Sequence, residues 1–125
     1  MPSWNPDPTA RPYYAHVWEH SHSLHRRPPG RRHEATLKYS DGTAIDLTGA
    51  TVKFYMAKPD GTVVINATAT IVDAVNGKVR YEWQQGDLSE EGRYNAEFEV
   101  TFPNGDVLTA PSQGYFIIEV QRDLA

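Results

Sequence analysis

The chain has 125 residues, a formal net charge of −4, 39% hydrophobic residues, nine prolines, nine glycines and no cysteine. This length is enough for one compact domain and short for two. The absence of cysteine excludes disulfide bonds, thiolate metal sites and a cysteine nucleophile. No apolar run is as long as a membrane span or the hydrophobic segment of a signal peptide, so we expect neither.

Charge and residue type change along the chain near Arg31–His33. Residues 1–33 contain five arginines and two acidic residues, whereas residues 34–125 contain seven basic and fourteen acidic residues. All five histidines and six of the nine prolines also lie in residues 1–33. Such a change in composition is typical of a domain boundary. We therefore expect an extended N-terminal arm (residues 1–32) followed by a separate domain (residues 33–125).

The N-terminal arm has prolines too closely spaced for a helix or a central strand, apart from the proline-free stretch Tyr13–His25. Unlike most disordered segments, it contains large aromatic residues. Aromatic and arginine side chains are frequent anchors of protein interfaces. The residues expected to bind a partner are Trp4, Tyr13, Tyr14, Trp18, Arg26, Arg27, Arg31 and Arg32. A tail whose aromatic residues make no contact is the alternative interpretation.

From His33 onward, apolar and polar residues alternate as they do in half-buried strands. The alternation predicts strands at Glu34–Tyr39, Thr51–Met56, Thr62–Ile65, Ala69–Val72, Lys78–Trp83, Arg93–Phe102, Val107–Thr109 and Tyr115–Val120. Turn residues lie between them at Asp41-Gly42, Pro59-Asp60-Gly61, Asn76-Gly77 and Pro103–Asp106. Short strands at this spacing indicate an all-β, immunoglobulin-like antiparallel sandwich.

The segment from Asp87 to Tyr94 resembles the approach to a tyrosine corner, in which a tyrosine hydroxyl binds backbone upstream of its strand. We therefore expect Tyr94 to be buried, with its hydroxyl bonded to the backbone. Because the predicted strands supply a core of their own, we also expect the sandwich to fold without residues 1–30.

Several turn and strand segments occur together, in one order and spacing. They are Asp41–Phe54, Lys58–Gly61, Asn76–Tyr81, Gly92–Tyr94, Glu97-Phe98, Pro111-Ser112 and Gly114-Tyr115. As a set, they resemble the N-terminal domain of phage baseplate upper proteins, over about residues 33–120. The resemblance implies a non-enzymatic β-sandwich module of a tailed-phage virion that needs no cofactor. Its implied partners are other structural proteins of the tail, baseplate or capsid, together with further copies of itself.

In the family it resembles, the domain usually begins near the chain start and is followed by segments that attach receptor-binding proteins. Here a 33-residue segment precedes the domain, and the chain ends five residues after Val120. We therefore expect an accessory tail or baseplate component that docks through its N-terminal arm. A decoration protein that straps capsid subunits together is the alternative.

The arm contains histidines that could bind a metal ion. The run His16-Val17-Trp18-Glu19-His20 matches the H-x-x-E-H motif of zinc hydrolases, but that motif requires a supported helix and a third ligand. A non-catalytic metal site would draw on four histidines within ten residues: His16, His20, His22 and His25. Polar or packing contacts at an interface explain them more simply, so no metal is expected.

Nucleic-acid binding and catalysis are the remaining functional classes. The basic run Arg26–Arg32 could contact phosphates, but the acidic domain repels a polyanion. Pairing of these arginines with carboxylates of a protein partner is the simpler interpretation. Glu97 and Glu99 lie two residues apart on the solvent face of one predicted strand, where charges keep a sheet edge soluble. No nucleophile accompanies them, so no catalytic residue is expected.

Overall fold

The computed structural model describes residues 15–19, 23–25 and 32–121, and every regular element in these residues is a β-strand. The strands are β1 (Ala15–Glu19), β2 (Ser23–His25), β3 (Arg32–Tyr39), β4 (Thr51–Ala57), β5 (Val63–Thr68), β6 (Thr70–Asp73), β7 (Lys78–Glu82), β8 (Gly92–Thr101), β9 (Val107–Ala110) and β10 (Phe116–Gln121). Among the described residues, no helix is long and apolar enough to cross a membrane.

The strands form two sheets that face each other. The first sheet has the order β1-β3-β7-β6, and the second has the order β2-β10-β8-β4-β5, with β9 paired to β8. Only the contact between β2 and β10 is parallel; the other pairs described are antiparallel. The sequence predicted about seven strands after His33, and the structure has eight there, β3 to β10, in the segments where the alternation was seen. The all-β, immunoglobulin-like sandwich is therefore confirmed.

The space between the sheets is filled by the apolar face of each alternating strand. Phe54 of β4 is fully buried, and its ring centroid lies 4.7 Å from that of Tyr81 on β7 and 5.2 Å from that of Phe98 on β8. Trp83 approaches the same ring edge-on at 5.8 Å. Aromatic pairs at these distances add to the stabilisation from buried area. The predicted inward faces of β4, β7 and β8 are thus the ones that form the core.

The turn at Asn76-Gly77 is packed against β3 and requires glycine. Gly77 has a φ of 70°, and a Cβ atom there would lie 2.5 Å from the carbonyl oxygen of Leu37. The Leu37 amide donates to the carbonyl oxygen of Gly77 at 2.8 Å. Any side chain at Gly77 would therefore separate the turn from β3.

Two tyrosine hydroxyls fix the loop that connects the sheets between β7 and β8. Tyr94 is buried, and its hydroxyl donates to the carbonyl oxygen of Glu90 at 2.9 Å, which confirms the predicted tyrosine corner. At the other end of the loop, the Tyr81 hydroxyl donates to Asp87 Oδ2 at 2.7 Å. Burial, together with this hydrogen bond to Asp87, raises the pKa of Tyr81 well above its usual value, so Tyr81 stays a neutral donor.

Two strands from within the N-terminal arm are hydrogen-bonded into the sandwich. Strand β1 pairs with β3 from Ala15↔Tyr39 to Glu19↔Ala35, and β2 pairs with β10. Ala15 is buried in the core, its amide donates to Ser112 Oγ at 2.8 Å, and its carbonyl oxygen accepts from the Ser112 amide at 3.1 Å. The composition change near Arg31–His33 therefore lies within the paired sheets. These contacts argue against a sandwich that keeps its full core without residues 1–30.

Removing the hydroxyl that forms the tyrosine corner is expected to weaken the fold by the value of one hydrogen bond. Tyr94→Phe should lower the free energy of unfolding by about 1 kcal/mol, because the part-buried hydrogen bond from Tyr94 to the carbonyl oxygen of Glu90 is lost. Urea unfolding measures the change. Tyr55→Phe is the matched control, since the Tyr55 hydroxyl makes only a 3.4 Å contact on the outer face of the sheet. Equal losses in both variants would contradict a special role for Tyr94.

The burial of Ala15 predicts that β1 contributes to stability. Ala15→Asp should lower the free energy of unfolding by at least about 2 kcal/mol, because a carboxylate replaces a methyl group in the core. Ser40→Asp adds the same charge at an exposed turn and should change stability little. Thermal or urea unfolding of both variants makes the comparison. If Ala15→Asp matched the control, β1 would not be part of the stable core.

Candidate partner-binding surfaces

The residues predicted to bind a partner fall partly within the described structure. The backbone of Trp18 lies in β1 opposite Thr36. Arg32 begins β3 opposite Glu82, and its Nε donates to Glu34 Oε2 at 2.9 Å, with its side chain half exposed. The others lie outside the described residues: Trp4, Tyr13, Tyr14, Arg26, Arg27 and Arg31. A binding role for the whole set stays a prediction.

The described part of the H-x-x-E-H run, His16 to Glu19, is a strand and not a helix. His16 and Glu19 belong to β1, where each residue advances the chain by about 3.3 Å, so they do not share a helical turn. His25 ends β2 opposite Gln121, while His20 and His22 lie outside the described residues.

His33 is a core residue of the first sheet. Its ring stacks on Phe116 of β10 at a centroid distance of 5.5 Å, and its exposed fraction is 1%. Trp83 approaches the same ring edge-on at 6.4 Å. His33 therefore helps to join the two sheets, and it is not available to a partner at the surface.

Glu97 and Glu99 lie on the outer face of β8, which is the middle of the second sheet. The sequence interpretation of these residues as charges on a sheet edge is therefore wrong, because β8 pairs with β4 on one side and with β9 and β10 on the other. Partial burial raises the pKa of Glu97, and the like charge of Glu99 raises it further. The Tyr55 hydroxyl donates to Glu99 Oε1 at 3.4 Å. Both carboxylates therefore lie on the outer face of the second sheet, where Glu99 is opposite Lys53.

Three aspartates in the loops accept hydrogen bonds from backbone amides of their own turns. In three turns, an aspartate accepts a hydrogen bond from the amide of the threonine two residues further on, at 2.8 to 3.0 Å. These pairs are Asp41 with Thr43, Asp46 with Thr48, and Asp60 with Thr62. The hydrogen bonds hold the pKa of each aspartate below its usual range. Their role is to set turn geometry.

Some exposed apolar side chains lie where β5 and β6 end their sheets, and others are Val107, Tyr115 and Ile117. Val63 and Val64 of β5 are 57% and 39% exposed, and Val72 of β6 is 49% exposed. Val75, in the turn after β6, is also largely exposed. This surface was not recognised from the sequence, because the alternation shows which residues face the core without showing which strands end a sheet.

A known protein family matches the part of the chain that forms most of the sandwich. The family described as the BppU N-terminal domain matches residues 34–120, which is well over half of the chain. The chain belongs to this family. The resemblance to baseplate upper proteins is thereby confirmed. The family is a phage virion component, so the protein is a baseplate-related structural protein of the virion that associates with other virion proteins.

Solved structures share the fold at low sequence identity. The chain is similar to CopC from Methylosinus trichosporium OB3b, with 12% identity and a TM-score of 0.50, over 88% of this chain and 98% of that one. It is also similar to part of a metagenome-derived glycoside hydrolase family 9 endoglucanase, with 18% identity and a TM-score of 0.50, over 85% of this chain and 18% of that one. At these identities the likeness concerns the fold alone. No curated protein matches the chain.

The raised pKa of Glu97 predicts how stability depends on pH. An acid whose pKa is raised by folding favours the folded state when protonated, and this contribution is lost as pH rises through the folded pKa. Glu97→Gln should therefore raise the free energy of unfolding at pH 7, by about 0.5 kcal/mol. The gain should vanish below about pH 4, where glutamate is protonated in both states.

Urea unfolding at the two pH values provides the measurement. Glu82→Gln is the control, because Glu82 Oε2 lies 3.2 Å from Arg80 Nε and its removal should give no gain at pH 7. A Glu97→Gln protein that is less stable than the original at pH 7 would show that the carboxylate is favourably placed.

Proposed function

We propose that the protein is an accessory structural component of a phage tail or baseplate that docks onto other virion subunits through its N-terminal arm. Membership of the BppU N-terminal domain family is the observation that supports this proposal most directly. In this proposal the sandwich is the folded domain, and the arm contacts the other virion subunits. No chemical step is part of this function.

The opposite charges of the two parts of the chain support docking through the arm. Residues 1–33 have an excess of arginine, whereas residues 34–125 are acidic. Guanidinium groups pair with carboxylates in two-point hydrogen bonds, which suits protein partners with acidic surfaces. The acidic sandwich disfavours a polyanion such as nucleic acid.

The aromatic residues of the arm are the proposed anchors of the docked state. Buried contact area would come from Trp4, Tyr13, Tyr14 and Trp18. The arginines around them would make directional hydrogen bonds to the partner. Of these four residues, Trp18 is the one that lies in the described part of the chain, and its backbone belongs to β1.

The arginine-rich segment lies between two strands of the sandwich in the chain. Residues 26–31 join β2 of the second sheet to β3 of the first sheet, and Arg32 is the first residue of β3. Both ends of the segment are therefore held by paired strands. A segment that is held at both ends loses less conformational freedom on binding than a free tail does.

Incorporation of variants into phage particles tests the proposal. The triple variant Arg26→Gln/Arg27→Gln/Arg31→Gln should greatly reduce occupancy, because it removes the proposed ion pairs with the partner. Lys53→Gln/Lys58→Gln/Lys78→Gln changes the net charge equally within the sandwich and should keep occupancy. Trp18→Ala should cost at least about 2 kcal/mol of association. His20→Ala and Glu19→Gln should cost less.

Unfolding curves of the purified variants separate loss of docking from loss of fold. Full occupancy of the triple arginine variant and of Trp18→Ala would reject docking through the arm. Occupancy that falls with a chelator and with His20→Ala would indicate a metal-bound arm. A map of the particle with the protein on the capsid shell would favour the decoration role over the tail role.

A further inference from the structure

Strand β5 lies at one end of the second sheet, and in the described part of the chain its outer side has no strand beside it. Among the described residues, its ladder partner is β4, and the next strand in the chain, β6, ends the first sheet beside β7. A single residue, Ala69, separates β5 from β6. The two open edges are therefore next to each other on one side of the sandwich.

This side lacks the features that usually protect a sheet edge. Residues 61–72 contain no charged residue, no histidine and no proline. Natural edge strands are commonly blocked by charges, proline, bulges or short length. Strands β2 and β9, on the opposite side of the second sheet, have three and four residues, whereas β5 has six. Its one protective feature is a register shift that leaves Val64 unpaired at one end.

The ladder shows which backbone groups of β5 face the open side. The Ala69 amide donates to the carbonyl oxygen of Val52 at 2.8 Å, so this pair is a hydrogen-bonded one. In an antiparallel ladder such pairs alternate with pairs whose N–H and C=O groups point away. In β5, Asn66 and Thr68 therefore direct their backbone groups outward, and both side chains are exposed.

We propose that β5 is a self-association edge, which pairs antiparallel with β5 of a second copy around a two-fold axis near Ala67. Asn66 of each copy then lies opposite Thr68 of the other, and the four outward N–H and C=O groups of each strand make reciprocal hydrogen bonds. The second sheets of the two copies join into one continuous sheet. Identical strands paired in this way form a closed dimer.

The distribution of charge favours a second copy of this chain as the partner of β5. Residues 34–125 carry seven basic and fourteen acidic residues, so most surfaces of two sandwiches repel each other. The edge formed by residues 61–72 is uncharged, and two copies can approach there without opposing like charges. The exposed Val63 and Val64 belong to the same strand. Strands β1 and β2 of the arm lie at the opposite ends of the two sheets from β6 and β5.

The test places charges directly across the proposed axis. In Asn66→Glu/Thr68→Glu, each new glutamate faces a glutamate of the other copy, which opposes pairing. In Asn66→Lys/Thr68→Glu, each lysine faces a glutamate, so pairing is kept. Both variants share the same residue at position 68 beside Lys53 of β4. Ser40→Glu/Gln113→Glu adds two negative charges at exposed sites elsewhere and controls for net charge.

Sedimentation equilibrium of the full chain over a wide concentration range gives the dimer dissociation constant. We expect the original chain, the lysine-glutamate variant and the control to dimerise, and the double-glutamate variant to dissociate at least about tenfold more readily. Circular dichroism checks that the variants fold. A full chain that stays monomeric at every concentration would overturn the proposal, as would a folded double-glutamate variant with unchanged dimerisation.

Discussion

The packing of Phe54 between the two sheets is the contact on which the rest of the sandwich depends. Its ring touches Tyr81 of the facing sheet and Phe98 of the neighbouring strand, and it is fully buried. A slip of one residue in β4 would turn Phe54 to the solvent side and bring Tyr55 into the core. The register of β4 with β5 and β8 is therefore tied to this one aromatic cluster.

The same constraint limits where function can reside. Residues on the inner faces hold the sheets together. The aspartates at three turns accept hydrogen bonds from backbone amides of the same turn. In the described part of the chain, the surfaces open to partners include the outer face of the second sheet and the uncharged edge at β5 and β6. The family is that of a phage virion component, and association with other virion proteins requires such surfaces.

A large part of the fold could be predicted from the residues alone. The alternation from Arg93 to Phe102 predicts a strand with one buried face, and the structure has this strand as β8 (Gly92–Thr101). Turn residues such as Asn76-Gly77 gave the positions of the hairpins, since Gly77 must have a positive φ close to the Leu37 backbone. Tyr94 was also predicted correctly, because a tyrosine corner depends on a short local segment.

The sequence by itself determined which residues face the core, where the chain turns, and that the two parts of the chain differ in charge. Only the tertiary structure decided that Ala15 belongs to the core, that Glu97 lies on a central strand, and that β5 and β6 end their sheets. The physical reason is the range of the interactions. Side-chain alternation follows from the local geometry of a strand, whereas the neighbour of a strand is set by hydrogen bonds between residues far apart in the chain.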